Sequence, residues 1–334
     1  MVNPYKYISF WLVAFLVCCA GIEEVNGQQL PQYSQYMMSK FLINPAVAGS
    51  EGYSAFNLTA REQWIGMPNS PRTYAFSAQT RILRKSFVSR RTSIRKKGLG
   101  ASRSGRVGLG GHVFTDQTGI VSRTGFKLTY SYHIAFQRGQ LSFGLTGSGY
   151  QFRVNKEEII VYDEDDNLIN NYSNRMFIPD ADIGIYYSDP RMYGGISASQ
   201  LFAASLKFGE GSYENFKLLR HYYLVGGTNL DISDYVIIEP SFLLKTSETW
   251  KFQLDLTGKV YFYEDYWAGL SYRTGAQAGA LILMGGLKVD KFFFGYAFDY
   301  TLSSIQRHSF GSHEFMIAMK LGDTARRYKW LIRY

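Results

Sequence analysis

From Tyr53 onward, apolar residues alternate with polar or small ones at a period of two. Trp250, Phe252, Leu254, Leu256, Val260 and Phe262 interleave with Lys251, Gln253, Asp255, Thr257 and Lys259. Phe126, Leu128, Tyr130, Tyr132, Ile134 and Phe136 run out of phase with Lys127, Thr129, Ser131 and His133. Phe292, Phe294, Tyr296, Phe298 and Tyr300 do the same against Gly295, Ala297, Asp299 and Thr301. Successive side chains on a strand point to opposite faces, so each run has one apolar and one polar face. About fourteen such runs can be counted. They lie near 53–62, 72–82, 106–115, 122–136, 140–152, 180–189, 191–199, 218–231, 235–246, 249–262, 265–274, 278–288, 291–302 and 313–321.

Most runs are about 9–14 residues long, the length a tilted strand needs to cross a bilayer, and an even count fits bacterial outer-membrane barrels. The connections add an independent signal. Gln137-Arg138-Gly139, Ser188-Asp189-Pro190, Asp231 to Asp234, Tyr263-Glu264-Asp265 and the turn at Asp290 are minimal. Glu62 to Pro71, Arg153 to Pro179, Gln200 to Lys217 and Ser303 to Ser312 are longer, and fall between the short ones. Short periplasmic turns alternating with longer outward loops is the layout of such a barrel. Two connections break the rule: Leu83 to Gly105 is long at the short-turn end, and the one around Ser247 is short at the other.

The pattern therefore predicts an all-β fold, a transmembrane antiparallel β-barrel of about fourteen strands, with apolar side chains toward lipid. The inward face would carry Arg61, Gln79, Arg81, Lys127, His133, Lys251, Asp255, Lys259, Arg273 and Asp299. Open porins have about 16–18 strands, so a narrower lumen is expected to be wet but obstructed. The alternative all-β arrangement, a soluble sandwich or propeller, buries its apolar faces between sheets; runs longer than about ten residues are long for it.

Composition agrees. Of 334 residues 46% are hydrophobic and only 19% charged, with 26 Tyr, 24 Phe and 33 Gly. Such a chain can offset its ordering entropy by burial, which excludes disorder. After the first two dozen residues no stretch is long and apolar enough for a membrane-spanning helix.

The first residues are different. Lys6 precedes an apolar core from Ile8 to Ala20, then Glu23, Glu24 and Asn26. This is signal-peptide architecture, with cleavage expected near Gly27; as an uncleaved anchor the core is short for about 30 Å of hydrocarbon. Both cysteines, Cys18 and Cys19, lie within it. The processed chain would then have no disulfide and no thiolate metal site.

Candidate chemistry is sparse. G-x-S-x-G and G-x-x-x-x-G-K are absent, and His313-Glu314 resembles a zincin start only until Ile317, where a second His is required. The five His residues lack metal-ligand spacing. Asp163, Asp165 and Asn167 have EF-hand spacing, but Leu168 replaces the turn Gly and Asn174 the bidentate Glu. A solvated outward loop is expected there. The basic stretch Arg84, Lys85, Arg90, Arg91, Arg95, Lys96, Lys97, Arg103, Arg106 would suggest nucleic acid in another setting. On an exported barrel it faces the periplasm, as a contact for acidic partners or headgroups through Arg90, Arg91, Arg95, Lys96 and Lys97, or as a solvated turn. No catalytic residue, metal or cofactor is expected.

The segment after the leader reads Pro31-Gln32-Tyr33-Ser34-Gln35-Tyr36-Met37, then Asn44-Pro45-Ala46-Val47-Ala48-Gly49-Ser50, Arg61-Glu62-Gln63-Trp64 and Ser70-Pro71-Arg72-Thr73. Gly108-Leu109-Gly110 with Asp116 and Gly119, and Gly311-Ser312-His313-Glu314, follow. Together they resemble the PorP/SprF family of the type IX secretion system, found in gliding and protein-secreting Bacteroidetes. The resemblance implies a non-enzymatic outer-membrane accessory component. It would aid export or surface attachment of cargo, typically adhesins, through a C-terminal secretion domain, with a link to gliding motility. Its partners would be outer-membrane lipid, the cargo and periplasmic secretion components. The alternative is an outer-membrane diffusion or uptake channel.

The expected organisation is a signal peptide over 1–27, an N-terminal periplasmic or plug-like segment over 28–52, a barrel over 53–321 and a C-terminal periplasmic tail over 322–334. In that tail, Tyr328, Trp330, Ile332 and Tyr334 alternate and could hold the terminal aromatic used in barrel insertion. The motif residues Gln32, Ser34, Gln35, Asn44, Pro45, Ala46, Gly49, Arg61, Gln63 and Trp64 are expected to be structural or docking residues. Asn44-Pro45-Ala46 should form a tight turn, both Asn and Pro being turn formers, leading Gln28 to Phe41 against or into the barrel mouth.

Overall fold

A computed structural model of the chain describes residues 31–82, 106–136, 139–155, 175–203, 205–206, 216–263, 265–275 and 279–321. The strands are β1 (Ser54–Glu62), β2 (Arg72–Ile82), β3 (Val107–Thr118), β4 (Val121–Ala135), β5 (Gln140–Val154), β6 (Arg175–Ser188) and β7 (Met192–Ser199). A small hairpin of β8 (Ser205–Leu206) and β9 (Phe216–Lys217) follows. Then come β10 (His221–Thr228), β11 (Leu230–Ser233), β12 (Val236–Ser247), β13 (Phe252–Phe262), β14 (Tyr266–Gly275), β15 (Ala280–Val289), β16 (Phe292–Thr301) and β17 (Ser312–Leu321).

All except the small hairpin form one antiparallel sheet of neighbours in chain order. It closes into one ring: β1 pairs with β17 from Ser54↔Leu321 to Glu62↔His313, and β10 pairs with both β7 and β12. Counting β10 and β11 as one stave gives a closed barrel of fourteen. Closure leaves no edge, and a backbone group left unpaired in hydrocarbon costs several kcal/mol.

The burial pattern is inside-out. On β4, Phe126, Leu128, Tyr130, Tyr132 and Ile134 are exposed, Leu128 to 65%, while Thr129, Ser131 and His133 point inward and His133 is 0% exposed. The same inversion repeats on β13, where Phe252 and Leu256 face out and Asp255, Thr257 and Lys259 are buried. A soluble sandwich would show the opposite assignment, so the surface is one made for lipid. Among the described residues no helix is long and apolar enough to cross a membrane; the strands do the crossing.

Prolines account for two departures from the expected boundaries. The chain before Pro179 reads as loop, yet β6 runs from Arg175 through Pro179. The β6–β7 ladder begins only at Ile183↔Ala198, so Pro179 stands where no ladder bond is needed on that side. The expected single strand over 218–231 divides at Asn229 into β10 and β11. Opposite the break lies Pro240, just past the last β10–β12 pair Gly227↔Ser241, with no N–H to continue the ladder. Lys251 precedes β13 rather than lining the lumen from it.

One rim carries the minimal turns. At the β6–β7 turn the Asp189 carboxylate accepts from the backbone N–H of Arg191 and Met192, and Asp290 takes a left-handed φ of 54° between β15 and β16. The other rim carries the longer connections 155–174, 200–220 and 302–311. By the layout of outer-membrane barrels the first rim is periplasmic and the second external. The leader, the basic connection with Arg90, Arg91, Arg95, Lys96 and Lys97, the acidic cluster and the tail after Leu321 lie outside the described residues.

Candidate functional site

The lumen is not empty. Residues 31–53 lie within it, with Gln32 at the long-loop rim and residues 50–53 at the short-turn rim, where they join β1. Near the long-loop rim the buried Glu314 carboxylate accepts from two of its backbone amides.

In the outer tier, the backbone N–H groups of Ser34 and Gln35 donate to the two Glu314 carboxylate oxygens at 2.7 and 2.9 Å. The Ser34 hydroxyl donates to Asp299 Oδ2 at 2.7 Å. Arg61, on the inward face of β1, donates to Asp299 at 2.8 Å, Ser34 Oγ at 2.8 Å and Glu314 at 3.3 Å. Arg273 on β14 bridges Asp255 at 2.8 Å and Asp299 at 3.1 Å. Gln32 donates to Gln253 and accepts from Gln63. Two guanidinium groups thus face three carboxylates in a space where Arg61, Asp255, Asp299 and Glu314 are all buried. The plug's own amides, with no charge of their own, supply donors that the third carboxylate lacks.

In the middle tier, the Tyr36 hydroxyl donates to Thr257 at 3.1 Å, and the Ser39 hydroxyl accepts from Asn57 at 2.8 Å. Phe41 meets the ring of His112 edge-on. Asn44 caps the 3-10 turn Pro45–Val47, its side-chain oxygen accepting from Ala46 N at 2.9 Å. Its amide nitrogen donates to the carbonyls of Ile185 and Ile196, each at 3.1 Å, so one side chain ties the turn to β6 and β7. Lys40 places its ammonium 3.5 Å from the centre of the Tyr193 ring. Tyr193 and Tyr261 donate to Glu239, which also pairs with Lys259.

The turn fits because the wall is bare beneath it. A Cβ at Gly144 would strike Pro45 and Ala46, and one at Gly184 would strike the Asn44 amide oxygen. Gly184→Val is therefore expected to lift the turn off the wall at a cost of about 1–3 kcal/mol. Limited proteolysis of the folded barrel checks this: cleavage between residues 36 and 50 should rise in Gly184→Val and stay at the wild-type level in Ile183→Val, whose side chain faces lipid.

In the inner tier, the Ala48 carbonyl accepts from the Ser131 hydroxyl and lies 3.0 Å from His133 Nε2. With Nε2 as donor, His133 Nδ1 accepts from Ser142 at 2.8 Å. Gly49 N donates to Gln79, and the Ser50 carbonyl accepts from Arg81 and Gln140.

The motif residues therefore separate by height. Gln32, Ser34, Gln35, Arg61 and Gln63 meet in the outer tier, Asn44, Pro45 and Ala46 form the middle turn, and Gly49 lies in the inner tier. Trp64 stands apart at the first external loop, with a left-handed φ of 51° and its N–H donating to Ser312 Oγ. Glu239 and Gln140 belong to none of the sequence motifs. Glu314 sat inside a fragment that looked like the start of a zinc motif; the alternation of β17 was the signal that it points inward. Among the described residues no group of three or more His, Cys, Asp or Glu side chains is placed to hold a metal ion.

Known proteins resemble this chain at two levels. Solved porin structures are weakly similar to it: a substituted porin of Rhodopseudomonas blastica, at 5% identity and a TM-score of 0.33, over 80% of this chain and 99% of that one. The KdgM porin matches at 11% identity and a TM-score of 0.34, over 80% of this chain and 98% of its own. No curated protein sequence matches. The family model of type IX secretion system membrane protein PorP/SprF spans residues 25–319, from ahead of the plug to the last strand. This chain belongs to the PorP/SprF family of type IX secretion system membrane proteins.

Proposed function

We propose that this protein is a plugged outer-membrane docking barrel of type IX secretion, which aids export or surface attachment of adhesin-like cargo by holding the cargo's C-terminal secretion domain at its external loops. It reaches the outer membrane after cleavage of the leader near Gly27, works with periplasmic secretion components, and is not an enzyme. In a gliding cell the cargo it serves would include motility adhesins. The observation that carries the reading against a diffusion or uptake channel is the occupied lumen: three tiers of hydrogen bonds hold residues 31–53 across the bore. Tyr36 and Phe41 are buried in that bore, and the outer ion pairs lie across it. What remains for such a barrel to offer a secretion system is its rims, and the external one carries the longer loops.

The test is affinity purification of the tagged barrel from native outer membranes, followed by identification of bound proteins. Recovery of a protein with a C-terminal secretion domain, lost when residues 302–311 are replaced by a short Gly-Ser turn, is the expected result. A barrel that recovers no such protein, and whose deletion impairs solute uptake, would favour the channel instead.

A further inference from the structure

The plug has a direction, and the direction decides which compartment can reach it. Ser54 pairs with Leu321, so β1 starts at the rim that also carries the Asp189 and Asp290 turns. Residues 50–53 are at that rim, beside Arg81 at the end of β2 and Gln140 at the start of β5. Gln32, by contrast, contacts Gln63 just past the end of β1 and Gln253 at the start of β13, both at the long-loop rim. Ser34 and Gln35 contact Glu314 near the start of β17, at the same height. The segment thus lies antiparallel to β1 inside the cylinder. Its carboxyl end is covalently tied at the short-turn rim, and Gln32 lies at the long-loop rim.

From this we propose that the plug presents its amino end to the outside of the cell: Pro31, half-buried at the long-loop rim, is reached from the external side. The periplasmic side meets only its tethered end at residues 50–53. A plug entered from the periplasm would carry the opposite arrangement, its first residues beside Arg81 and Gln140 and its last beside Arg61. The inference deepens the docking reading, because it adds Pro31, next to the buried outer tier, to the rim a cargo domain would encounter.

Three single-cysteine proteins test it, each produced in the native host and treated with a membrane-impermeant maleimide before and after outer-membrane permeabilisation. Thr249→Cys marks the long-loop rim and Lys291→Cys the short-turn rim; both positions are exposed. Wild type, whose cysteines are Cys18 and Cys19 alone, is the blank. Pro31→Cys is expected to label on intact cells together with Thr249→Cys, with Lys291→Cys labelling at least tenfold less until permeabilisation. Labelling of Pro31→Cys only alongside Lys291→Cys would overturn the inference, and so would labelling in neither state in a barrel that shows heat-modifiable migration. Docking is scored separately by cargo recovery. Inward labelling with cargo still bound sinks the inference and leaves docking standing, whereas outward labelling with no cargo in any preparation does the reverse.

Discussion

Replacing Arg61 with alanine is expected to cost the folded barrel about 3–5 kcal/mol, the penalty for removing one partner of a buried ion pair. Arg61 is 1% exposed and touches Asp299, Glu314 and Ser34 at once. Without it, Asp299 keeps the Ser34 hydroxyl and Arg273, the latter already shared with Asp255, and Glu314 keeps only backbone donors. Urea titration of the detergent-solubilised barrel, followed by heat-modifiable gel migration, should show the midpoint fall. The double variant Arg61→Met with Glu314→Gln should recover part of the loss, because it removes a stranded charge together with its partner. An Arg61→Ala midpoint equal to wild type would mean that the outer tier does not hold the plug.

The second large effect concerns conduction. Deleting residues 31–48 should turn a silent protein into one that gives discrete single-channel steps in planar bilayers. The wall left behind is lined by Arg61, Arg81, Lys127, His133, Asp255, Lys259, Arg273 and Asp299, groups that water would solvate once the plug is gone. The full chain should show no steps under the same voltage. Silence in both proteins, with the shortened barrel folded, would place the obstruction elsewhere; steps in the full chain would mean that the plug does not seal.

The two effects differ in how far sequence could foresee them. The wall was legible because its two solvents are so unlike: hydrocarbon outside and polar groups inside write a period of two into every stave. Even the face of Asp255, Lys259 and Arg273 could be read from it. The exceptions were Pro179 and Pro240, where a missing donor is tolerated because the neighbouring ladder has stopped, a fact that belongs to the partner strand and not to the proline. The plug was legible as a motif but not as a path. Its residues follow neither helical nor strand periodicity, and its ligands are remote in sequence: Ser34 meets Glu314 across 280 positions. Asn44 was recognisable as a turn former, yet its second task, bridging the carbonyls of Ile185 and Ile196, depends on two glycine-bared strands that no local pattern ties to it.

The whole account stands on residues 31–53 threading the barrel, and proximity can be measured directly by pairing Ser39→Cys with Asn57→Cys. These side chains are in hydrogen-bond contact from plug to wall, whereas the neighbouring Leu58 points outward to lipid. Oxidation in native outer membranes should close an intramolecular disulfide in the Ser39/Asn57 pair and none in a Ser39/Leu58 pair. Free, maleimide-reactive thiols in both pairs, in a barrel that migrates as folded, would contradict it.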